Sequence, residues 1–567
     1  MLSLLMILQA STKVLPLTSY ILVITSFATL IVLSILISTE SVILFGILLF
    51  FLTRGLTYFV ATNFLVLSFA DSYGQFGLLQ SITQTHHATI ISGASFLSPL
   101  VNPSGYSNWP GMQVLSSMLQ QLTGASVFNV ALVLPIVLYP LWLIVSFLLI
   151  RNLVTQMFSL RRIEFWAITV VGSLSSTWLL SYKYDILSVI LISASLLLLA
   201  KLVKGTIGNN RASFAIFLCL FAAASVTQGY SALTWLLFVT GIAVLSQLAK
   251  MTSPTTGIER ALFKSVSNNL RFIVLSMTTI MVVWWTYFAL FAWQYIGGFN
   301  NIFSTLTDFT TRVTPLTTSN LTSLMPNLIL DILRVRNLAV FGLFGIGILV
   351  LMVGWNRFKP KGVLLLLLLG SLFVTIGMLL PAAGLEGRNA EILAPLLGVI
   401  ILVPAAVVMQ LNKYAGKFVV VTICWIFLFA GAIGYWGTSY APIHLYDKAV
   451  SSESLGEHPL SYPAVANFFQ NQLNVKCIFS NELYVTALSV PYSDWQKLQP
   501  IGSTPVGPNC LVVVFDQLNT FNGSYIVQPF TPYKNFSYTA LHYQLQTTDM
   551  ILTTSLDVEV YFVPMQA

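Results

Sequence analysis

Apolar runs of about twenty residues follow one another through the first 437 residues of this chain, and lipid leaves such runs few conformations. In hydrocarbon no water satisfies an N–H or C=O group, so a spanning segment is either a helix or one strand of a closed barrel. These runs exceed the roughly ten alternating residues of a barrel strand, and residues 364–369 are an unbroken row of leucines. The sequence therefore predicts an α-helical polytopic membrane protein.

About twelve spans are read, at roughly 15–38, 41–61, 129–150, 164–181, 184–200, 213–227, 230–248, 272–294, 337–355, 363–381, 391–411 and 418–437. Only 8% of the 567 residues are charged, against about 25% in a soluble domain. The net charge of +8 does not point to nucleic acid, because the basic residues sit in short connections rather than on a polar domain. They report topology instead. Arg151, Arg161 and Arg162; Lys201, Lys204 and Arg211; Lys250, Arg260, Lys264 and Arg271; Arg357, Lys359 and Lys361; and Lys413 and Lys417 fall in alternate connections. The positive-inside rule makes those five cytoplasmic and the others outer.

Residues 1–10 have no basic start and no small-residue cleavage site, so the first helices are expected to insert and stay. Both chain ends then lie outside an integral cytoplasmic (plasma) membrane. The sequons at Asn320, Asn522 and Asn535 all fall on outer segments of this map, where they could be glycosylated. Two outer segments are long: the loop 62–128 and the tail.

After Tyr435 the composition changes, with Pro, Asn, Ser and acidic residues returning. Residues 1–437 are read as the transmembrane domain, and 438–567 as a small extracytoplasmic α/β or α+β domain. Pro463 can open a helix whose Val465, Phe468, Phe469 and Leu473 recur at helical spacing. Strand-like runs follow at 475–479, 511–515 and 558–563. Cys477 and Cys510 stand at the heads of two of them. An oxidising outer face permits their pairing, with two free thiols as the other reading. Cys219 and Cys424 lie inside spans.

Asp71 is the only acidic side chain between residues 61 and 124, in the stretch Phe69-Ala70-Asp71-Ser72-Tyr73-Gly74-Gln75-Phe76-Gly77. His86 and His87 follow it. Tyr106-Ser107-Asn108-Trp109-Pro110 then leads into a predicted helix over 110–123. There Met112, Leu115, Met118, Leu119 and Leu122 form an apolar stripe opposite Gln113, Ser116, Ser117, Gln120 and Gln121, and Gly124 closes the helix. Such a helix lies along the interface, its apolar face in lipid and its neutral face toward the loop. A single carboxylate makes a poor site for a divalent cation, which needs several oxygen ligands, so metal-independent chemistry with no cofactor is expected.

Two apolar segments, an Asp-X-Tyr, a Tyr-Ser-Asn-Trp-Pro loop, an interfacial helix ending in Leu122-Thr123-Gly124, many spans and an outer tail follow in that order. The order resembles the GT-C superfamily of integral membrane glycosyltransferases, in particular its archaeal multispan type. The run at 549–561 looks similar to the end of such proteins. The resemblance implies a sugar donor on a polyprenyl or dolichyl phosphate and an acceptor glycan, lipid or protein on the outer face. Asp71 matches the family's first-loop carboxylate, which acts as general base on an acceptor hydroxyl or positions it. Ser72 and Gln75 stand where many relatives carry a second acid and a histidine. Arg388, in the short turn 384–391, matches a late-span arginine that contacts the lipid phosphate, with Glu386 beside it. Tyr73, His86 and His87 are secondary substrate contacts.

Other readings stand beside these. Asp71 could cap a helix, the histidines could face water, and Arg388 could pair with Glu386 or Glu391. Arg334 and Arg336, after a second possible interfacial helix, would either add positive potential for an anionic lipid or snorkel. Arg54, inside the second span, must face the bundle or a polar cavity. The whole chain could also be a catalytically inactive scaffold or envelope-assembly subunit of the same fold.

Overall fold

A computed structural model describes residues 17–61, 109–154, 162–174, 184–203, 211–252, 257–288, 327–354, 361–379 and 392–435, the strands of the tail, and short pieces near 75–86 and at 182. The described chain is mostly helical. Thirteen helices are numbered here in chain order: α1 (Leu17–Ile37), α2 (Glu40–Ala61), α3 (Gly111–Thr123), α4 (Val127–Val154), α5 (Ile163–Leu174), α6 (Tyr184–Val203), α7 (Arg211–Thr227), α8 (Gly229–Thr252), α9 (Gly257–Tyr287), α10 (Asn327–Val353), α11 (Lys361–Leu379), α12 (Ala394–Leu411) and α13 (Lys413–Tyr435).

Six stretches among them are long and apolar enough to cross a membrane: Tyr20–Ile37, Val127–Val154, Tyr184–Lys201, Leu270–Tyr287, Val335–Val353 and Lys413–Ile433. Shorter apolar helices, such as Ile163–Leu174 and Ala394–Met409, lie between them. Against water such surfaces would aggregate. Against lipid they are at home, and the chain is an integral membrane protein.

Two elements are longer than the sequence pattern predicts. α9 begins at Gly257, so Arg260, Lys264 and Arg271 ride on the helix rather than in a loop. α10 begins at Asn327 and absorbs the predicted second interfacial helix, which puts Arg336 inside a continuous helix and not at an end. In both cases polar residues at one end hid the continuation, because backbone hydrogen bonding does not stop where hydropathy falls.

Side-chain bonds distinguish the two ends of the bundle. At one, Arg151 of α4 pairs with Glu40 of α2 at 3.4 Å. There too Arg162 donates to the carbonyls of Ile35 and Ser38 at 2.6 and 2.8 Å, closing the exposed end of α1. The first and last of these helices meet along their length: the Tyr20 hydroxyl donates to the Ala432 carbonyl at 3.0 Å, and Trp425 Nε1 to Thr29 Oγ1 at 3.2 Å. α4 packs on α6, α8 on α9, and α12 on both α10 and α13. Trp142, Trp235 and Trp285 fill the interior.

In the tail, β1 (Cys477–Ser480), β2 (Leu498–Pro500), β3 (Cys510–Phe515), β7 (Asp549–Thr553) and β8 (Val558–Val563) make one sheet in the order β2-β1-β3-β8-β7. β1 runs parallel to β2 and β3, whereas β8 runs antiparallel to β3 and β7. The apolar positions Ile478, Phe479, Leu511, Val512 and Val513 are buried, consistent with strands covered on both faces. β4 (Thr520–Phe521), β5 (Ser524–Ile526) and β6 (Asn535–Ser537) form a second, antiparallel sheet. Cys477 and Cys510 face each other in register across β1 and β3, Cα atoms 4.7 Å apart, and are disulfide-bonded.

Candidate functional site

The opposite end of the bundle holds a buried polar array built around α3. This helix starts at Gly111, ends with Gly124 in the left-handed conformation at φ 66°, and donates the Gly124 N–H to Gln120. Its neutral face turns inward: Gln113 and Ser116 are fully buried and Ser117 nearly so, while Met118 and Leu122 are exposed. The expected split of faces holds only in part: Met112 is buried with the polar residues, Leu115 and Leu119 pack partly on the core, and Gln121 is exposed.

Two connections reach this face, and a third carries its own polar cluster beside the head of the helix. From the first loop, Gln75 accepts a hydrogen bond from Gln113 Nε2 at 2.8 Å. Ahead of α6, the Tyr182 hydroxyl donates to Ser116 Oγ at 2.8 Å, and the Ser116 hydroxyl in turn donates to the Met112 carbonyl. Burial pushes the Tyr182 phenol well above its usual range, with the Ser116 hydrogen bond opposing this, so the hydroxyl stays a donor. At the corner between α7 and α8, Gln228 Nε2 donates to Asp185 Oδ1 at 2.6 Å, and the Ser231 hydroxyl donates to Gln228 Oε1.

Close backbone approach locks these pieces together. A Cβ on Gly229 would meet the Trp109 ring at 2.7 Å, and one on Gly111 would meet Thr227 Oγ1 at 2.5 Å. Glycine at both positions lets the head of α3 lie against the α7–α8 corner, with Trp109 wedged over it.

Asp185 and Tyr182 escaped the sequence reading. The signal for Asp185 was there: a carboxylate in the first turn of an apolar helix is favoured by the helix dipole, yet costly near lipid unless it has a task. Tyr182 gave none. Gln75 registered only as a departure from the family pattern, and the structure gives it a partner.

Of the residues singled out earlier, His86 is described. It is exposed, with φ 57°, and closes a turn through its N–H to Ile82 at 2.8 Å. Asn535 lies in β6, paired with Ile526. Asp71, Tyr73, His87, Glu386, Arg388, Asn320 and Asn522 lie outside the described residues. Gln75, four residues after Asp71 in the sequence, is therefore held to α3, while Asp71 itself and the 384–391 turn lie outside the described residues.

Chemically, the array offers amides, hydroxyls and one carboxylate. Among the described residues Gln75 Nε2 and Gln113 Oε1 are buried with no hydrogen-bond partner, leaving one donor and one acceptor over on the two bonded amides. Such a pair suits a hydroxylated ligand, since each sugar hydroxyl both donates and accepts. Among the described residues no three His, Cys, Asp or Glu side chains gather as a metal site would require.

No family model and no curated protein matches the chain. Solved structures do align with it. The oligosaccharyltransferase of Archaeoglobus fulgidus, in its apo form, is 11% identical over 81% of this chain with a TM-score of 0.49. This chain spans 64% of that protein's length. The same enzyme with an inhibitory peptide and a dolichol-phosphate gives 11% identity over 79% of this chain and 66% of its own, TM-score 0.46. ArnT from Cupriavidus metallidurans bound to undecaprenyl phosphate is 13% identical over 90% of this chain and 97% of its own, again with a TM-score of 0.46. Likeness at this level decides nothing about chemistry, which must come from the residues.

Proposed function

We propose that this chain is a membrane glycosyltransferase of GT-C type, moving a sugar from a polyprenyl-phosphate donor to a glycan, lipid or protein acceptor on the outer face. The observation that supports it most is the buried amide, hydroxyl and carboxylate array at the end of the bundle where the Asp71 loop enters. Asp71 is four residues from Gln75, so the chain itself keeps the two Cα atoms within about 14 Å.

In this reading an acceptor nucleophile attacks the anomeric carbon, its proton passes to Asp71, and the bond from that carbon to the phosphate oxygen breaks. Arg388 steadies the phosphate as it leaves, because a guanidinium meets phosphate oxygens in pairs. Tyr73, His86, His87 and Glu386 contact the substrates, and the chemistry needs no metal. The five basic connections face the cytoplasm, the array faces outward, and both chain ends lie on the outer side.

The test is Asp71→Asn. Membranes carrying wild type or variant are incubated with radiolabelled nucleotide sugars, and label is followed from the lipid-linked pool into outer-face products. Transfer is expected to fall by about 10²–10⁴-fold, with insertion and yield unchanged; undiminished transfer would remove Asp71 from catalysis.

The engagement of Gln75 by Gln113 favours a second reading, a non-catalytic scaffold. There the loop is structural, and Asp71→Asn changes nothing while loss of the tail disrupts an envelope complex.

A further inference from the structure

α3 carries no charged side chain, and part of its inward polar face is not spent on holding the fold. Gln113, Ser117 and Gln120 recur at i, i+4 and i+7, so they share one side of the helix over roughly 10 Å of its length. Ser116 beside them is fully used, accepting from Tyr182 and donating to the Met112 carbonyl. Gln113 is only half used: its Nε2 holds Gln75, while its own Oε1 and the Gln75 Nε2 have no partner. No side-chain hydrogen bond ties Ser117 or Gln120 to another described residue.

The face also opens along its length. Gln113 is sealed, Ser117 is 6% exposed and Gln120 is half-buried. The opposite end is shut, where Trp109 lies against Gly229 and Gly111 against Thr227. α3 is thus a fixed wall, pinned at its head by backbone contact and at its middle by Tyr182, with unbonded polar groups running from its interior toward its Gly124 end.

A buried amide left half unbonded forfeits the bonds that water gave it, so each such group calls for something that completes it. Along this face the completing molecule must present several groups that both donate and accept, as hydroxyls do. It must also be uncharged there, because a charge taken out of water needs a charged partner and α3 offers none. A neutral sugar meets both conditions, and an acidic sugar fails the second. Asp71 is four residues from Gln75, so a sugar held by Gln75 and Gln113 lies within one short stretch of chain of the proposed base.

We propose that Gln75, Gln113, Ser117 and Gln120 form a recognition strip that reads the hydroxyls of a neutral sugar and rejects a charged one. The inference rests on the glycosyltransferase reading and deepens it by naming the class of sugar that the donor or the acceptor carries.

The full-length protein in lipid nanodiscs is titrated with polyprenyl phosphate, with the same lipid carrying glucose, mannose or glucuronate, and with free maltotriose and mannotriose, binding being read by native mass spectrometry. A neutral sugar is expected to bind, on the lipid more tightly than the sugar-free and glucuronate forms or as the free trisaccharide. Gln113→Leu and Gln120→Ala should each weaken that binding about tenfold and leave sugar-free polyprenyl phosphate unchanged. Selection among the lipid-linked probes places the sugar on the donor, and binding of a free trisaccharide places it on the acceptor. If Gln113→Leu does not fold, Gln120→Ala and Ser117→Ala decide alone. Absence of any neutral-sugar binding, glucuronate bound as tightly as glucose, or sugar binding that survives Gln120→Ala and Ser117→Ala overturns the strip and leaves the face to water. Asp71→Asn should abolish transfer and keep this binding, so failure of the strip and failure of the catalytic assignment are separate results.

Discussion

At the scale of single residues, the Gln75–Gln113 pair shows how a buried amide constrains its neighbour. Gln113→Leu removes the donor and strands the Gln75 carbonyl in a dry site, at a cost of about 1–3 kcal/mol. Replacing both by leucine removes the stranded group as well. Thermal unfolding of the two single variants and the double variant should therefore show the double less destabilised than the sum of the singles. Additive losses would mean the amides do not depend on each other. Asp185 and Gln228 form a second such couple at 2.6 Å, and the carboxylate makes it the stronger of the two.

At the scale of elements, the disulfide and the long helices teach different lessons. The Cys477–Cys510 bridge spans 33 residues, and closing a loop of that size stabilises by about 3–4 kcal/mol in the chain-entropy picture. Cys477→Ser should accelerate limited proteolysis of the β1–β3 region and leave the helical bundle's thermal unfolding in place; equal proteolysis with and without the bridge would show that the sheet holds unaided. Strands β1, β3 and β8 were legible because their apolar runs are short and bounded by turn residues, and α3 because Gly124 and the split between its two faces mark a helix that ends. β2, at Leu498–Pro500, and the small sheet of β4 to β6 were not, since two or three residues are too few to show a period. The true lengths of α9 and α10 were hidden by charged residues that a helix can carry on one side. The array itself was half legible. Its α3 face follows from periodicity, but its partners Tyr182, Asp185 and Gln228 come from connections whose convergence no local pattern encodes.

At the scale of the molecule, charge and exposure divide the bundle. One end is laced by Arg151, Glu40 and Arg162, the other by amides and hydroxyls. α9 and α10 give most of their surface to lipid, only 28% and 22% of their apolar stretches being buried, so they form the outer wall of a tighter core. α10 is held close where a Cβ on Gly347 would strike the Ile400 carbonyl of α12. The contact between α1 and α13 has a bearing on biogenesis. The Tyr20 hydroxyl finds its acceptor on a residue 412 positions later, so α1 waits in the bilayer for a helix that is synthesised long after it. Until then a phenol and one flank of α1 lack their final neighbours, an invitation to membrane quality control. Chains truncated before Lys413 should be cleared in a pulse–chase experiment much faster than the full chain, and supplying α13 as a separate peptide should extend their lifetime; equal lifetimes would mean that the early helices are secure before synthesis ends.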